Sequence, residues 1–217
     1  MSEIVTALAG AGPLAAGWAL HGMWTWRRLD ASRRDPLSGL PTRAAFERQA
    51  ARALTRGPHV VLVIDLDDFK TLNDTHGHAA GDEAIRSTAA SLNDAFAHRR
   101  GSVAARLGGD EFAAVVPATI PAALPRLLDG LHSLITAPFA YQAQTLAVGA
   151  SLGACYTPEL PVRSLSLALG RADEAMYAAK RNGGGWCLAD GSMPVRVTTT
   201  GQRTGRRASA AGRRSVR

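Results

Sequence analysis

Cysteine is scarce in this 217-residue chain: there are two, Cys155 and Cys187, and they form neither a CxxC nor any other metal-ligand spacing. A disulfide framework is thereby excluded as the source of stability, and a reducing compartment fits. Cys155 ends an apolar, strand-like stretch and reads as a buried, inert thiol. Acids are absent from residues 191–217, which hold seven arginines. Taking those seven from the 25 Lys and Arg leaves 18 basic residues against 18 acidic ones. The net charge of +7 therefore belongs to the tail, and the body is formally neutral. The tail also lacks apolar periodicity, which predicts a disordered segment. Its arginines have no interleaved aromatics and suit electrostatic contact with anionic lipid or nucleic acid, or a merely solvated tail.

Charge is almost missing from residues 4–26, where His21 is the one readily titratable group. A helix of 23 residues could cross a hydrocarbon core, which needs about 20. Trp18, Trp24 and Trp26 gather toward one end, and Arg27, Arg28, Arg33 and Arg34 follow. That pattern predicts an interfacial belt with a cytoplasmic basic flank. The positive n-region of a secretory signal is lacking, with Glu3 in its place. A soluble dimerisation helix or an unstructured leader is the competing reading, because the segment is rich in Gly and Ala and contains Pro13. A weak small-xxx-small cue, Gly12 and Ala16, would let such helices pair.

The most informative stretch is Arg106-Leu107-Gly108-Gly109-Asp110-Glu111-Phe112. Two glycines remove every Cβ from a tight turn, so backbone can approach a phosphate closely. Two acids follow at once, and the apolar run from Phe112 to Val116 reads as a strand leaving the turn. A strand, a glycine turn and paired carboxylates together make a nucleotide–metal hairpin. Upstream, His59 to Ile64 is a buried apolar strand that ends in Asp65, where an unpaired carboxylate is costly. A bound metal would settle that cost; a solvated acidic turn of Asp65, Asp67 and Asp68 is the alternative. Lys70, Asn73, His78 and Asp82 follow within one short stretch.

The remaining pattern predicts a helix over 42–55, a strand over 59–66 and a helix over 80–98. Ile85, Thr88, Ala89, Leu92 and Phe96 recur there at helical spacing. Strands follow over 102–107 and 111–116, then a proline-bounded helix over 121–136 and a strand over 145–156. A last helix over 164–181 has Ala172, Ala175, Met176 and Ala179 on one face, and stops at Asn182-Gly183-Gly184-Gly185. No long doubly wound parallel pattern is present. Alternating elements with an internal hairpin predict an α+β fold, its largely antiparallel sheet flanked by helices. Three segments result: residues 1–34, an apolar anchor with a basic linker; 35–190, a globular domain; and 191–217, the tail.

These blocks, with Asp35-Pro-Leu-Ser-Gly-Leu-Pro-Thr-Arg43 before them and Ala172-Asp-Glu-Ala-Met-Tyr-Ala-Ala-Lys180 after, resemble in order and spacing the GGDEF family of diguanylate cyclases. The resemblance covers residues 33–190. It implies a ferredoxin-like, palm or nucleotidyl-cyclase core and a homodimer in which each subunit presents one GTP. Two GTP would condense to cyclic di-GMP, with attack of a ribose 3′-OH on an α-phosphorus. It also implies Mg²⁺, two ions per site with Mn²⁺ as a substitute. Asp65, the Leu66 carbonyl and Asp110 would be the metal ligands, and Asp110 the base or activator of the 3′-OH. Glu111 is the adjacent acid, a metal ligand or a shaper of the turn. Lys70 and Lys180 would face phosphates, although a lysine after a strand is usually solvated and one in a helix's last turn is favoured by the dipole alone. Asn73 and Asp82 would read guanine, with an N-cap role for Asp82 as the alternative. His78 would lie near substrate or be structural, and Gly108 and Gly109 would form the phosphate-side turn. Asp35 and Arg43 match a structural wide turn. With the anchor, the catalytic domain would sit in the cytoplasm against a bacterial inner membrane; without it, free in the cytoplasm.

The chain departs from the family in two places. Gly184 stands where a second basic residue is common, leaving Arg181 as a substitute contact, and activity could be weaker. Arg99-Arg100-Gly101-Ser102 occupies the place of the product-inhibition motif without its acid, so feedback through that site is not expected. A degenerate domain that binds GTP or cyclic di-GMP and signals by contact is the alternative function.

Overall fold

The computed structural model describes residues 33–189. The apolar segment 4–26, with the anchor, dimerisation and localisation readings placed on it, and the arginine-rich tail lie outside the described residues. Among the described residues no helix is long and apolar enough to cross a membrane.

The order of elements is α1 (Arg43–Leu54), β1 (His59–Asp67), α2 (Phe69–His76), α3 (His78–Phe96), β2 (Val103–Gly108), β3 (Glu111–Pro117), α4 (Leu124–Ile135), β4 (Phe139–Tyr141), β5 (Gln144–Leu146), β6 (Gly149–Tyr156), α5 (Leu165–Arg181) and β7 (Gly185–Leu188). Five strands form one sheet in the order β2-β3-β1-β6-β7. β1 runs antiparallel to both its neighbours, β3 and β6. β1, β2, β3 and β6 with the helices between them form the β-α-β-β-α-β, ferredoxin-like arrangement that the family resemblance implies. β7 extends it as a parallel partner of β6.

β1 is central, and its continuous apolar run follows from burial on both faces. Val60, Leu62, Ile64 and Leu66 point into one core with α3 and α4. Val61 and Val63 point into the other, with Phe46 of α1 and Ala172 and Met176 of α5. The period of two then carries Asp65 and Asp67 onto the α5 side of the sheet. At Gly153 of β6 a Cβ would overlap the Ala172 carbonyl and the Met176 amide, so glycine lets α5 lie directly on the sheet. Ser164 caps that helix by accepting from the Leu167 amide at 3.4 Å.

Three expectations need correction. The predicted strand over 145–156 is two: β5 pairs with β4 in a separate hairpin, and β6 begins afresh at Gly149. The helix predicted from residue 80 begins at His78, and α2 precedes it. α2 is eight residues long, buries no residue fully and leans on the core only through Phe69 and Leu72, too short a pattern to read. The glycine run does end α5, yet Gly185 opens strand β7.

Candidate active site

The carboxylates gather where β1 leaves the sheet. Asp65 lies directly opposite Glu111 across the β1–β3 ladder. Like charges in that relation repel unless a cation sits between them. Asp110 occupies the two-residue turn with Gly109, and its carbonyl accepts from the Leu66 amide at 3.2 Å. The strand end and the hairpin turn are therefore tied by backbone. Gly108 and Gly109 have φ of +147° and +54°, a region side chains rarely adopt.

Arg106 braces this turn. Its Nε and Nη2 donate to the Gly109 carbonyl at 3.0 and 2.8 Å, and its Nη1 donates to Asp35 at 3.0 Å. Asp35 also accepts from the Ser38 amide and hydroxyl at 2.8 and 2.7 Å. Burial raises the Asp35 carboxyl, but the Ser38 bonds and then Arg106 outweigh it and hold it below its usual range. The structural wide turn that the sequence predicts at Asp35 is thus a support for the glycine turn. Arg43, on α1, opposes the rise in the Asp173 carboxyl described below.

Lys180, in the last turn of α5, reaches across to pair with Asp65, which is 5% exposed. Its Nζ is 4.0 Å from Asp67. Burial lowers the lysine, but the bond to Asp65 and the charges of Asp65, Asp67 and Asp110 outweigh it and raise it overall. Two carboxylates, Asp65 and Asp67, thus lie within ion-pair reach of one ammonium. A further acid, Asp173, stands two turns earlier on α5. It is exposed as a residue. Its carboxyl is nonetheless pushed up, first by burial, then by Asp65 and Glu174, against the pull of Arg43. Neither the Lys180–Asp65 pair nor Asp173 is announced by local pattern, because both depend on how α5 crosses the sheet.

The other predicted residues fall into two groups. Asn73 of α2 and Asp82 of α3 lie on adjacent, packed helices. Asn73 donates to the Phe69 carbonyl at 3.2 Å, and a Cβ on Gly81 would overlap its Oδ1. Asp82 is the fifth residue of α3, and Gly77 holds the cap position, so the N-cap reading of Asp82 does not hold. His78 opens the same helix. Lys70, in contrast, pairs with Asp74 along α2 and is not brought to Asp65. Arg181, the suggested substitute contact, lies over the Tyr177 ring at 5.3 Å rather than toward the carboxylates.

No group of three or more His, Cys, Asp or Glu side chains able to cage a metal occurs among the described residues. Asp65, Asp110 and the Leu66 carbonyl are hard oxygen donors, a set that suits Mg²⁺ arriving with phosphate oxygens and waters. The buried Asp65, held by a lone ammonium, is the observation that fits such an ion. Two open clefts, of about 500 and 540 Å³, lie at the opposite end of β1, beside Pro117. Charge, not hollowness, marks the chemical end of this sheet.

A ferredoxin-like sheet that gathers carboxylates at a glycine hairpin defines a nucleotidyl-cyclase type of domain. Residues 32–185 match the family described as "Diguanylate cyclase, GGDEF domain", and the chain belongs to that family. It is 49% identical over 165 residues to an uncharacterised 19.3 kDa protein of Streptomyces ambofaciens, covering 76% of this chain and 87% of that one. It is 38% identical over 155 residues to the diguanylate cyclase DgcP of Pseudomonas aeruginosa, covering 69% of this chain but 22% of that longer protein. The coiled coil and GGDEF domain of DgcB from Caulobacter crescentus, solved in complex with c-di-GMP, superposes with a TM-score of 0.71 at 28% identity, covering 82% of this chain and 96% of that one. GGDEF diguanylate cyclases are generally dependent on a divalent metal.

Proposed function

We propose that this chain condenses two GTP into cyclic di-GMP with release of two pyrophosphates, at the interface of a homodimer. The observation that carries the reading is the facing pair Asp65 and Glu111, with Asp110 in the adjoining turn and Lys180 paired with Asp65. Mg²⁺, two ions per site and replaceable by Mn²⁺, would be held by Asp65, the Leu66 carbonyl and Asp110 and would neutralise phosphate charge. Asp110 orients the ribose 3′-OH and takes its proton, and Glu111 keeps the turn acidic beside it. Gly108 and Gly109 let the phosphates approach backbone, and Lys180 and Lys70 supply positive charge to them. Asn73 and Asp82 face guanine, where an Asp accepts from N1–H and the exocyclic amine together. His78 lines the same approach. Each subunit holds one GTP, so dimerisation controls the rate.

A second reading, a degenerate module that binds GTP or cyclic di-GMP without turnover, draws on Gly184 and on Arg181 lying over Tyr177. Anchoring through residues 4–26 and lipid or nucleic-acid contact through the tail belong to the same proposal. Membrane fractionation of the full chain beside variants lacking residues 1–32 or 191–217 tests them. For the chemistry, the full chain is incubated with GTP and Mg²⁺ and its products are separated by chromatography. Cyclic di-GMP with two pyrophosphates per molecule supports the cyclase. Tight GTP binding without product supports the module.

A further inference from the structure

Asp67, the last residue of β1, belongs to none of the roles above, yet its carboxylate is closely held. Ser151, fully buried on β6, donates its hydroxyl to Asp67 Oδ1 at 2.8 Å. Gly149 stands opposite Asp67 in the ladder, and a Cβ there would lie 3.2 Å from the Asp67 Cβ. On the other side Gly184 has φ of +99°, and a Cβ there would lie 3.1 Å from Asp67 Oδ2. The carboxylate is thus pinned by a hydroxyl and walled by two glycines. The Gly184 amide donates to the Ala179 carbonyl at 3.0 Å and is not turned to Asp67.

Lys180 differs in mobility. Its side chain is 40% exposed, rides on a flexible four-carbon stem and holds Asp65, while Asp67 waits 4.0 Å away. On the reading above, Asp65 must be given up to a divalent cation when GTP binds. The ammonium then loses its first partner, and a like charge occupies the carboxylate it held. The fixed carboxylate beside it is the nearest that can take it over.

We propose that Asp67 is a positioning residue: it receives the Lys180 ammonium when a divalent cation takes Asp65, and so keeps that lysine beside the triphosphate. The inference rests on Asp65 being a metal ligand. Without Asp67, Lys180 either stays on Asp65 and opposes the metal or swings into solvent and leaves the phosphates.

The test is a double-mutant cycle on the full chain. Asp67→Asn, Lys180→Met and the double variant are titrated by calorimetry with a GTP analogue bridged by methylene between its α and β phosphorus, with and without Mg²⁺. Thermal melting reports whether each variant folds. With Mg²⁺, Asp67→Asn is expected to weaken binding about tenfold when Lys180 is present and less than about twofold when it is Met, a coupling of the size seen between contacting charges. Ser151→Ala should act in the same direction and more weakly. Without Mg²⁺ the coupling should vanish, which a merely structural role of Asp67 would not produce. Equal fold-changes in the two lysine backgrounds, or no change in either, would overturn the proposal. Asp65→Asn separates the two layers. If it removes the Mg²⁺ dependence while the cycle shows no coupling, the transfer alone is wrong. If it leaves that dependence intact, the metal reading fails and takes the transfer with it.

Discussion

Arg106 grips the Gly109 carbonyl with two of its nitrogens and the Asp35 carboxylate with a third, joining the turn that bears Asp110 to the segment that precedes α1. Its side chain is 13% exposed, and the bond to Asp35 is the better shielded, those to Gly109 lying at the surface. Lysine has one ammonium in place of the planar fork and cannot hold both partners in the same geometry. Arg106→Lys should therefore lower stability by about 1–3 kcal/mol, the usual scale for charge-assisted hydrogen bonds. Cyclic di-GMP formation should fall about tenfold, because displacements of the order of an ångström are costly at a reacting centre. Urea unfolding and a product assay on the same preparation check both, and parent-like turnover would show that the brace is dispensable.

Asp35 gives this brace a pH signature. Its folded carboxyl lies below its ordinary value of 3.8. A depressed acid contributes stability that is fully present above the unfolded value and is lost as pH falls through the folded one. The Asp35→Asn variant should accordingly be less stable than the parent from pH 5 to 7, with the difference shrinking below about pH 4. Urea midpoints of the two proteins across that range read the difference directly. A constant gap from pH 7 to pH 2 would contradict it.

Gly153→Ala tests the seat of α5. A methyl group there has helix backbone, not a yielding side chain, in its way. The helix must lift, and overpacking of this kind costs about 3 kcal/mol. Because Lys180 rides on α5, the variant should also lose affinity for GTP. A substitution tolerated with an unchanged melting temperature would mean that α5 does not lie where the sheet places it.

The two cysteines should differ in reactivity. Cys155 is buried on β6, and that burial first of all pushes its thiol up to about 11, with Arg171 opposing and Glu159 adding to the rise. Little thiolate exists at neutral pH, and access is closed. Cys187, half-buried on β7, should be alkylated by iodoacetamide first in the folded protein. Peptide mass spectrometry after timed labelling reads the order, and faster labelling of Cys155 would contradict the packing of that strand.

What could be read from the chain divides along physical lines. β1 and the β2–β3 hairpin were legible because a doubly buried strand must be continuously apolar and a two-residue turn calls for glycine. Asp65, Asp110 and Glu111 were legible because acids at such places need a counter-charge. α2 was not, since it is eight residues long and only Phe69 and Leu72 lean on the core. β7 was hidden because the glycines that stop α5 also begin an edge strand that is only half-buried. The Lys180–Asp65 pair joins residues 115 positions apart, and the Arg106–Asp35 pair joins residues 71 apart. Such contacts exist only once the sheet order is set. Lys70 pairs with Asp74, one turn along its own helix, a contact that the spacing of the two residues allows by itself.

On the proposed reading, the carboxylates at the end of β1 and in the glycine turn make cyclic di-GMP from GTP. The most direct measurement is chromatography of the products of GTP and Mg²⁺ incubated with the full chain, beside Asp110→Ala at equal concentration, with the GTP affinity of both determined. The account predicts cyclic di-GMP from the parent, a loss of at least about a hundredfold in the variant, and GTP binding that survives the substitution in weakened form. Equal product from both proteins would contradict it.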